Sequence, residues 1–158
     1  MRSNIVQARM KNLTTILPDA APAVQGLIKA AGEGGLPQET LELVHLRASQ
    51  INGCSACVYA GSQSAHKAGL SDKRLWSVSA WREAPFYSDA ERAALALAEA
   101  MTRLGDRSGD AVPDELWDEV ADHYNERQLA SLILWIATTN LFNRINATVQ
   151  EPAGTTWG

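Results

Sequence analysis

Apolar residues recur at intervals of three and four along most of this chain, and the alternating pattern of a half-buried strand is nearly absent. Such intervals predict amphipathic α-helices, since a turn takes about 3.6 residues and residues so spaced share one face. The pattern therefore predicts an all-α protein, a single-domain helical bundle of about six to seven helices over residues 1–158. Two of the clearest sets are Val24, Leu27, Ile28 and Ala31, and Leu41, Val44, Ala48 and Ile51.

The same pattern describes the two ends of the chain and one unusual helix. Residues 1–17 are weakly patterned, and we predict an arm or a short strand-like segment that packs on a neighbour. Residues 150–158 contain Pro152 and Gly154, which predict an extended tail. Residues 125–146 carry apolar side chains nearly all round a helix, so burial on most sides is expected, with a subunit interface covering the excess.

Two further stretches have simple structural interpretations. Residues 81–87 are rich in aromatic side chains and contain Pro85, so we predict a loop whose rings fill the core. A group of polar residues near the end of the long helix is interpreted as satisfying the helix-end backbone rather than lining a pocket. That group is Asn140, Asn143, Arg144 and Asn146.

The two cysteines of the chain, Cys54 and Cys57, form a Cys-x-x-Cys motif between residues 42 and 69. Asn52-Gly53 tolerates left-handed backbone and predicts a turn between a helix over residues 37–51 and a second over 54–68. Both thiols would then lie in the first turn of a helix, and we expect the two sulfurs to be close together and open to solvent. In that turn the unpaired N–H groups and the positive end of the macrodipole favour thiolate over thiol, so the motif predicts a redox-active pair.

A structural zinc site and inert burial are the alternative interpretations of the cysteine pair. Zinc takes about four ligands, and the chain offers only His45, His66 and His123 besides carboxylates, with no second Cys-x-x-Cys. The single Glu42-x-x-His45 is also too little for a di-iron bundle. We therefore predict no metal and no cofactor. His66 falls on the face of its helix opposite Cys57 and is predicted to be a solvated surface residue.

Composition and charge narrow the class of protein. Hydrophobic residues make up 46% and charged residues 20%, as is ordinary for a globular domain. The net charge of −4 offers no basic face to nucleic acid or anionic lipid. Neither a secretory signal nor a membrane span is predicted. We expect a cytoplasmic protein, and in that reducing compartment a lone cysteine pair is typical of catalysis.

Residues 46–57, LRASQINGCSAC, resemble the signature of the alkylhydroperoxidase D-like (AhpD-like), or carboxymuconolactone decarboxylase, superfamily. The resemblance continues through residues 67–69, 75–83 and 86–95 to the late Asn143-Arg144-Ile145-Asn146. It implies an AhpD-like helical fold, a homo-oligomer (a trimer or hexamer), and thiol-dependent alkyl hydroperoxidase or disulfide oxidoreductase activity in antioxidant defence.

The resemblance also implies catalytic roles for particular residues. Cys57 matches the cysteine that peroxide attacks, Cys54 the one that resolves it as a disulfide, and Glu42, twelve residues before Cys54, the proton acceptor. An external dithiol, such as a lipoyl group on a partner protein, would reset the pair. The family's peroxidase members also use a histidine four residues after the second cysteine, and this chain has Gly61 there.

His45 is the candidate to replace the missing histidine. If the two helices form an antiparallel hairpin, His45 lies near the position of Gly61 and one turn from Glu42. We hypothesise a proton relay from Cys57 through water and His45 to Glu42. The alternative is that His45 merely borders the core.

Two other functions remain open at this point. A catalytically weak, cysteine-switched binding or assembly protein is consistent with the loss of the histidine at Gly61. The decarboxylase branch of the superfamily, acting on a lactone acid, does not generally rely on a cysteine pair, and Cys54 and Cys57 argue against it. Consumption of a small peroxide with a dithiol reductant distinguishes the enzyme from the binding protein.

Overall fold

The computed structural model describes residues 5–155, and eight α-helices lie within that range, slightly more than the pattern predicted. Three short 3₁₀ segments join them, at Gly32–Gly34, Val78–Glu83 and Leu104–Asp106. No strand occurs among these residues, so the all-α prediction is confirmed. The helices are α1 (Leu13–Ile16), α2 (Ala20–Ala31), α3 (Gln38–Asn52), α4 (Ser55–Lys67), α5 (Asp72–Ser77), α6 (Asp89–Thr102), α7 (Asp114–His123) and α8 (Glu126–Val149).

The turn between α3 and α4 forms where the sequence predicted it. Gly53 adopts a left-handed conformation with φ of 65°, and its N–H bonds to the carbonyls of Gln50 and Ser49 to close the end of α3. Glycine accepts this conformation without the steric cost that a side chain brings. Cys54 then caps α4, and Gly69 follows its end with φ of 98°. The predicted bounds of both helices are confirmed to within a residue or two.

α3 lies at the centre of the bundle and packs against α4, α6 and α8. Its side chains enter two separate buried clusters, because its apolar residues are spread over more than one face. One cluster comprises Val44, Ala93, Ala94, Leu97, Ala98, Val120, Tyr124, Leu129, Leu132 and Ile136. The other comprises Leu43, Leu46, Ala65, Leu70, Val78, Trp81, Tyr87 and Leu95. The predicted filling of the core by the rings of Trp81 and Tyr87 is confirmed.

α8 is the longest helix and begins with a capping box. The Asn125 side chain accepts from the Gln128 N–H, and the Gln128 side chain accepts from the Asn125 N–H. Two backbone donors at the helix start are thereby satisfied. α8 packs against α2, α3, α4 and α6, so one element spans most of the bundle and can carry several residues to the same site.

Two predictions of local structure need correction. Residues 5–17 contain the short helix α1 rather than a strand, since Asn12 caps it by accepting from the Thr14 N–H. Arg9 bonds through its backbone N–H to the Val149 carbonyl, which ties this segment to the end of α8 in the same chain. Residues 81–87 are not wholly a loop, because the 3₁₀ segment Val78–Glu83 includes their first part. Residues 1–4 and 156–158 lie outside the described range.

Candidate functional site

Cys54 and Cys57 are joined in a disulfide at the start of α4. Cys54 is the N-cap residue, and its Sγ accepts a hydrogen bond of 3.3 Å from the backbone N–H of Cys57. The sequence expectation of paired sulfurs at a helix start is therefore met. The residues are only 1% and 5% exposed, so the further expectation that both sulfurs are open to solvent does not hold in this oxidised conformation.

Glu42 is buried on α3, and its carboxylate accepts hydrogen bonds from side chains of both α3 and α4. Its Oε1 accepts from Gln38 Nε2 at 2.8 Å, within α3, and from Ser64 Oγ at 2.7 Å, on α4. Gln38 and Ser64 are themselves exposed. The carboxylate thus spans the two helices of the hairpin, with its polar partners on the solvent side, and a proton that it receives has a short route to water.

His45 occupies the space beside Gly61. A Cβ placed on Gly61 would lie 2.7 Å from His45 Cδ2 and 3.0 Å from His45 Nε2, which is too close for ordinary contact. The opposite edge of the ring has Nδ1 at 3.2 Å from Thr139 Oγ1. The ring also stacks on Trp135, with centroids 5.7 Å apart. The absence of a side chain at Gly61 is therefore what allows the histidine of α3 to approach α4.

The pKa of His45 depends on its burial and on two other residues of the site, Glu42 and Cys57. Burial lowers the pKa of His45 from its ordinary value of 6.5, while the Glu42 charge and a hydrogen bond with the Cys57 backbone partly oppose that effect. A buried imidazole is harder to protonate because its charged form loses hydration. The ring is consequently neutral near pH 7, the state in which it can accept a proton.

α8 supplies polar groups that hold the hairpin. Asn52 Nδ2 donates to Asn140 Oδ1 and Asn143 Oδ1, each at 2.9 Å, and Asn143 Nδ2 donates to Ser49 Oγ at 3.0 Å. One turn later, Asn146 Nδ2 lies 3.5 Å from Cys57 Sγ. The interpretation of these asparagines as helix-end groups is wrong, since they bond to side chains of α3 and α4. Arg144, by contrast, is exposed.

The structure thus brings Glu42, His45, Cys54 and Cys57 together around the α3–α4 hairpin. It adds groups that sequence reasoning did not assign, namely Ser64, Trp135, Thr139 and Asn146. Their signal was present but weak: Thr139, Asn143 and Asn146 recur at intervals of four and three, which places polar residues along one face of an otherwise apolar helix.

Other candidate groups lie away from this cluster. His66 has a side chain 71% exposed, as predicted, and its Nδ1 lies 3.9 Å from Asp72. Among residues 5–155, no group of three or more His, Cys, Asp or Glu side chains could hold a metal ion. None of the helices in that range combines the length and apolar character needed to cross a bilayer.

Glu99, which the sequence analysis did not single out, is the centre of a separate buried ion cluster. Its carboxylate accepts from Arg47 Nε at 2.8 Å, from Trp81 Nε1 at 3.0 Å and from an Arg82 guanidinium nitrogen at 2.6 Å. Burial alone raises the pKa of Glu99, but the hydrogen bonds from Arg82, Arg47 and Trp81 outweigh it and lower that pKa. The cluster joins α3, α6 and the 3₁₀ segment Val78–Glu83.

Comparison with known sequences agrees with this architecture. The family model described as Carboxymuconolactone decarboxylase family matches residues 18–100, which include both cysteines, Glu42 and His45. The uncharacterized protein YdfG of Bacillus subtilis (strain 168) is 35% identical over 138 residues, covering 87% of this chain and 92% of YdfG.

Two solved structures share the fold over most of the chain. ATU0492 from Agrobacterium tumefaciens, a protein of unknown function and a proposed antioxidant defence protein AhpD, has a TM-score of 0.86 at 29% identity, covering 95% of this chain and all of that one. The debrominase Bmp8 has a TM-score of 0.76 at 26% identity, covering 90% of this chain and 75% of its own. A variant of Bmp8 has also been solved with 2,3,4-tribromopyrrole. The AhpD-like expectation for the fold is confirmed.

Proposed function

This chain belongs to the carboxymuconolactone decarboxylase family, and within that family we propose that it is a thiol-dependent peroxidase that cycles Cys54 and Cys57 between dithiol and disulfide. The observation that carries the proposal is the placement of His45 in the space beside Gly61, next to a bonded Cys54–Cys57 pair. The proposed antioxidant role of ATU0492 supports the same conclusion. A histidine beside Gly61 weakens the argument for a catalytically weak binding protein, which rested on the missing family histidine.

The first step oxidises Cys57. Its thiolate attacks the terminal oxygen of a hydroperoxide, a sulfur–oxygen bond forms, and the oxygen–oxygen bond breaks. Cys57 becomes a sulfenic acid, and the alkoxide takes up one proton and leaves as an alcohol. The peroxide has then been reduced by two electrons, which Cys57 has supplied.

The second step forms the disulfide. The Cys54 sulfur attacks the Cys57 sulfenic acid, a sulfur–sulfur bond forms, and the hydroxyl leaves as water with one proton. An external dithiol then reduces the disulfide by exchange and is itself oxidised to a disulfide. We propose a dithiol of the lipoyl type, carried on a partner protein, for this role. The burial of both sulfurs favours a slender reductant or a local opening of the site.

The proton pathway uses α3. We propose that neutral His45 accepts the Cys57 thiol proton through water and that Glu42 stabilises the resulting imidazolium. The hydrogen bond of Ser64 to Glu42 holds the carboxylate toward α4, and Thr139 fixes the ring at Nδ1. The same relay, run in reverse, supplies the proton that the leaving alkoxide takes.

Peroxide consumption by the reduced protein, with dihydrolipoamide as the reductant, tests the proposal. We expect continuous turnover by the wild type and none by Cys57→Ser, because the attacking sulfur is gone. In the absence of external dithiol, previously reduced Cys54→Ser is expected to consume about one peroxide per chain and then stop, with a sulfenic acid trapped by dimedone and detected by mass spectrometry. A wild type that consumes no peroxide beyond the rate of free dihydrolipoamide contradicts the proposal.

A second candidate function follows from the similarity to the debrominase Bmp8. Reductive debromination replaces carbon–bromine by carbon–hydrogen, releases HBr, and takes two electrons from a dithiol that becomes a disulfide. The Cys54–Cys57 pair can supply those electrons in the same way as for a peroxide. Incubation of the reduced protein with 2,3,4-tribromopyrrole, followed by measurement of bromide and of remaining thiols, distinguishes the two: bromide release without peroxide turnover favours the debrominase.

We also propose that the protein assembles as a homo-oligomer. Six of the ten large apolar side chains left exposed in the described residues lie in the first part of the chain and none lies on α8, so we propose that the interface is formed there rather than on α8. These side chains are Ile5, Val6, Met10, Ile16, Leu17 and Ile28.

A further inference from the structure

The two sulfurs of the disulfide receive their hydrogen bonds from different helices. Cys54 Sγ accepts from the backbone N–H of Cys57, which belongs to the first turn of α4. Cys57 Sγ accepts from the side-chain amide of Asn146, at 3.5 Å, near the end of α8. The pair is close in sequence, but its members are in chemically distinct environments.

The start of α4 favours Cys54 rather than Cys57 as an anion. Cys54 is the N-cap residue, and its side chain takes the place of the oxygen that usually accepts from a free N–H there. A thiolate at this position also gains from the positive end of the helix dipole. If the helix start acted alone, Cys54 would be the more reactive sulfur, contrary to the order that the family resemblance implies.

Asn146 is held in place independently of the disulfide. Asn143, one turn earlier on α8, is fully buried and bonds to Ser49 and Asn52 of α3. These contacts fix the end of α8 against the hairpin on which both cysteines sit. We therefore expect the Asn146 amide to face Cys57 in the reduced protein too. There it would donate to a full negative charge, and such hydrogen bonds are stronger than those between neutral groups.

We propose that Asn146 selects Cys57, in preference to Cys54, as the reactive thiolate, by donating its side-chain amide hydrogen to Cys57 Sγ. The inference rests on the proposed peroxidase function, in which Cys57 forms the sulfur–oxygen bond and Cys54 later displaces the hydroxyl as water. Asn146 is a catalytic residue in this proposal, because it touches the reacting sulfur.

The groups around Cys57 make Asn146 separable from the proton relay. The titratable members of the site are Cys54 on α4 and Glu42 and His45 on α3, whereas α8 contributes Thr139 and Asn146, which do not titrate in the working range. Asn146→Ala therefore removes a donor without changing the net charge. Asn146→Asp keeps the shape of the side chain and places an acceptor with a negative charge beside the sulfur.

The test measures the thiol pKa of each cysteine separately in the reduced protein. Cys54→Ser leaves Cys57 as the thiol, and Cys57→Ser leaves Cys54, so the pH dependence of the iodoacetamide alkylation rate gives the pKa of each. We expect Asn146→Ala to raise the Cys57 pKa by about half a unit to one unit, and Asn146→Asp to raise it further. In Asn146→Ala the Cys54 pKa is expected to stay unchanged, which makes Cys54 the internal control, whereas the charge of Asn146→Asp should raise the Cys54 pKa less than that of Cys57.

An unchanged Cys57 pKa in both Asn146 variants overturns the proposal. So does an equal shift at Cys54 and Cys57, because that result indicates a general disturbance of the hairpin. The measurement contains no peroxide, so its result stands apart from the proposed function. A wild type that fails to turn over peroxide contradicts that function, while the alkylation rates still decide the role of Asn146.

Discussion

Replacing His45 by alanine is expected to slow peroxide turnover by about a hundredfold to ten thousandfold, the usual contribution of a positioned general base. The variant loses the ring that lies beside Gly61 and contacts the Cys57 backbone. Loss of its stacking on Trp135 and of its bond to Thr139 also leaves a cavity, so thermal unfolding should accompany the kinetics. The quantity to measure is kcat/KM for a small hydroperoxide.

Moving the histidine from α3 to α4 separates the chemical role of His45 from its structural role. Gly61→His alone is expected to be poorly tolerated, because its Cβ would lie 2.7 Å from the ring of His45, which is held by Trp135 and Thr139. The double variant His45→Ala, Gly61→His removes that conflict and returns a histidine to the position that the family's peroxidase members use. We expect it to recover at least tenfold of the activity that His45→Ala loses.

The matched control for the transfer is His66→Ala. His66 lies on the same helix as Gly61, but its side chain is 71% exposed and faces Asp72, so wild-type kinetics are expected. Failure of the double variant to exceed His45→Ala, although it folds, contradicts a chemical role for His45 and leaves a packing role.

The pH profile gives a second measurement of the same residue. Because burial lowers the pKa of His45, the neutral base should persist below pH 6.5, the ordinary value for histidine. We expect kcat/KM in the wild type to fall only as the pH drops through that lowered pKa. An acid limb centred above 6.5 would assign the titration to another group.

The α3–α4 hairpin and the position of His45 could be predicted because both depend on local sequence. Asn52-Gly53 sets the turn, and a two-helix register then follows from simple counting along each helix. That count placed His45 near Gly61, and the structure has its ring there. The catalytic role of His45 is a separate matter that the proposed experiments address.

The contribution of α8 could not be predicted, because it depends on contacts between distant parts of the chain. Asn146 and Cys57 are 89 residues apart, and Asn143 and Ser49 are 94 residues apart. A helix that is apolar nearly all round gives no indication of which face meets which partner. Its asparagines therefore resembled helix-end residues, although each bonds to a specific group on the hairpin. Hydrophobic periodicity predicts that a helix is buried but not its rotation against a neighbour.

The environment of Glu99 could not be predicted either, because its partners are also distant in the sequence. Its replacement is the change for which we expect the largest loss of stability. Glu99, with an alanine on either side of it in α6, resembles a solvent-facing residue in the sequence, yet its side chain is only 4% exposed. Replacing it by alanine leaves the guanidinium of Arg47, with a side chain 12% exposed, without its carboxylate. Removing one partner of a buried pair costs roughly 3–5 kcal/mol, and we expect Glu99→Ala to lower the free energy of unfolding in urea by that amount.

Arg82 provides the control, since it binds the same carboxylate with a side chain that is 60% exposed. Exposed pairs contribute about 0–1 kcal/mol, so Arg82→Ala should stay within that range. Replacing Arg47 and Glu99 together by methionine should cost less than Glu99→Ala, because no buried charge is left unpaired. Equal losses for Glu99→Ala and Arg82→Ala would contradict the distinction between buried and exposed partners.

The pH dependence of stability gives the sign of the Glu99 contribution. Its folded-state pKa lies below the ordinary 4.5, because the hydrogen bonds from Arg82, Arg47 and Trp81 outweigh its burial. A carboxyl group with a lowered folded pKa stabilises the protein above its unfolded pKa and loses that contribution as pH falls through the folded value. The difference in unfolding free energy between the wild type and Glu99→Ala should therefore be constant near neutral pH and narrow below about pH 4.5. A difference in unfolding free energy that stays constant at acid pH would contradict a role for the charge of Glu99. It would mean that the volume of the side chain, rather than its charge, stabilises the contact between the three segments.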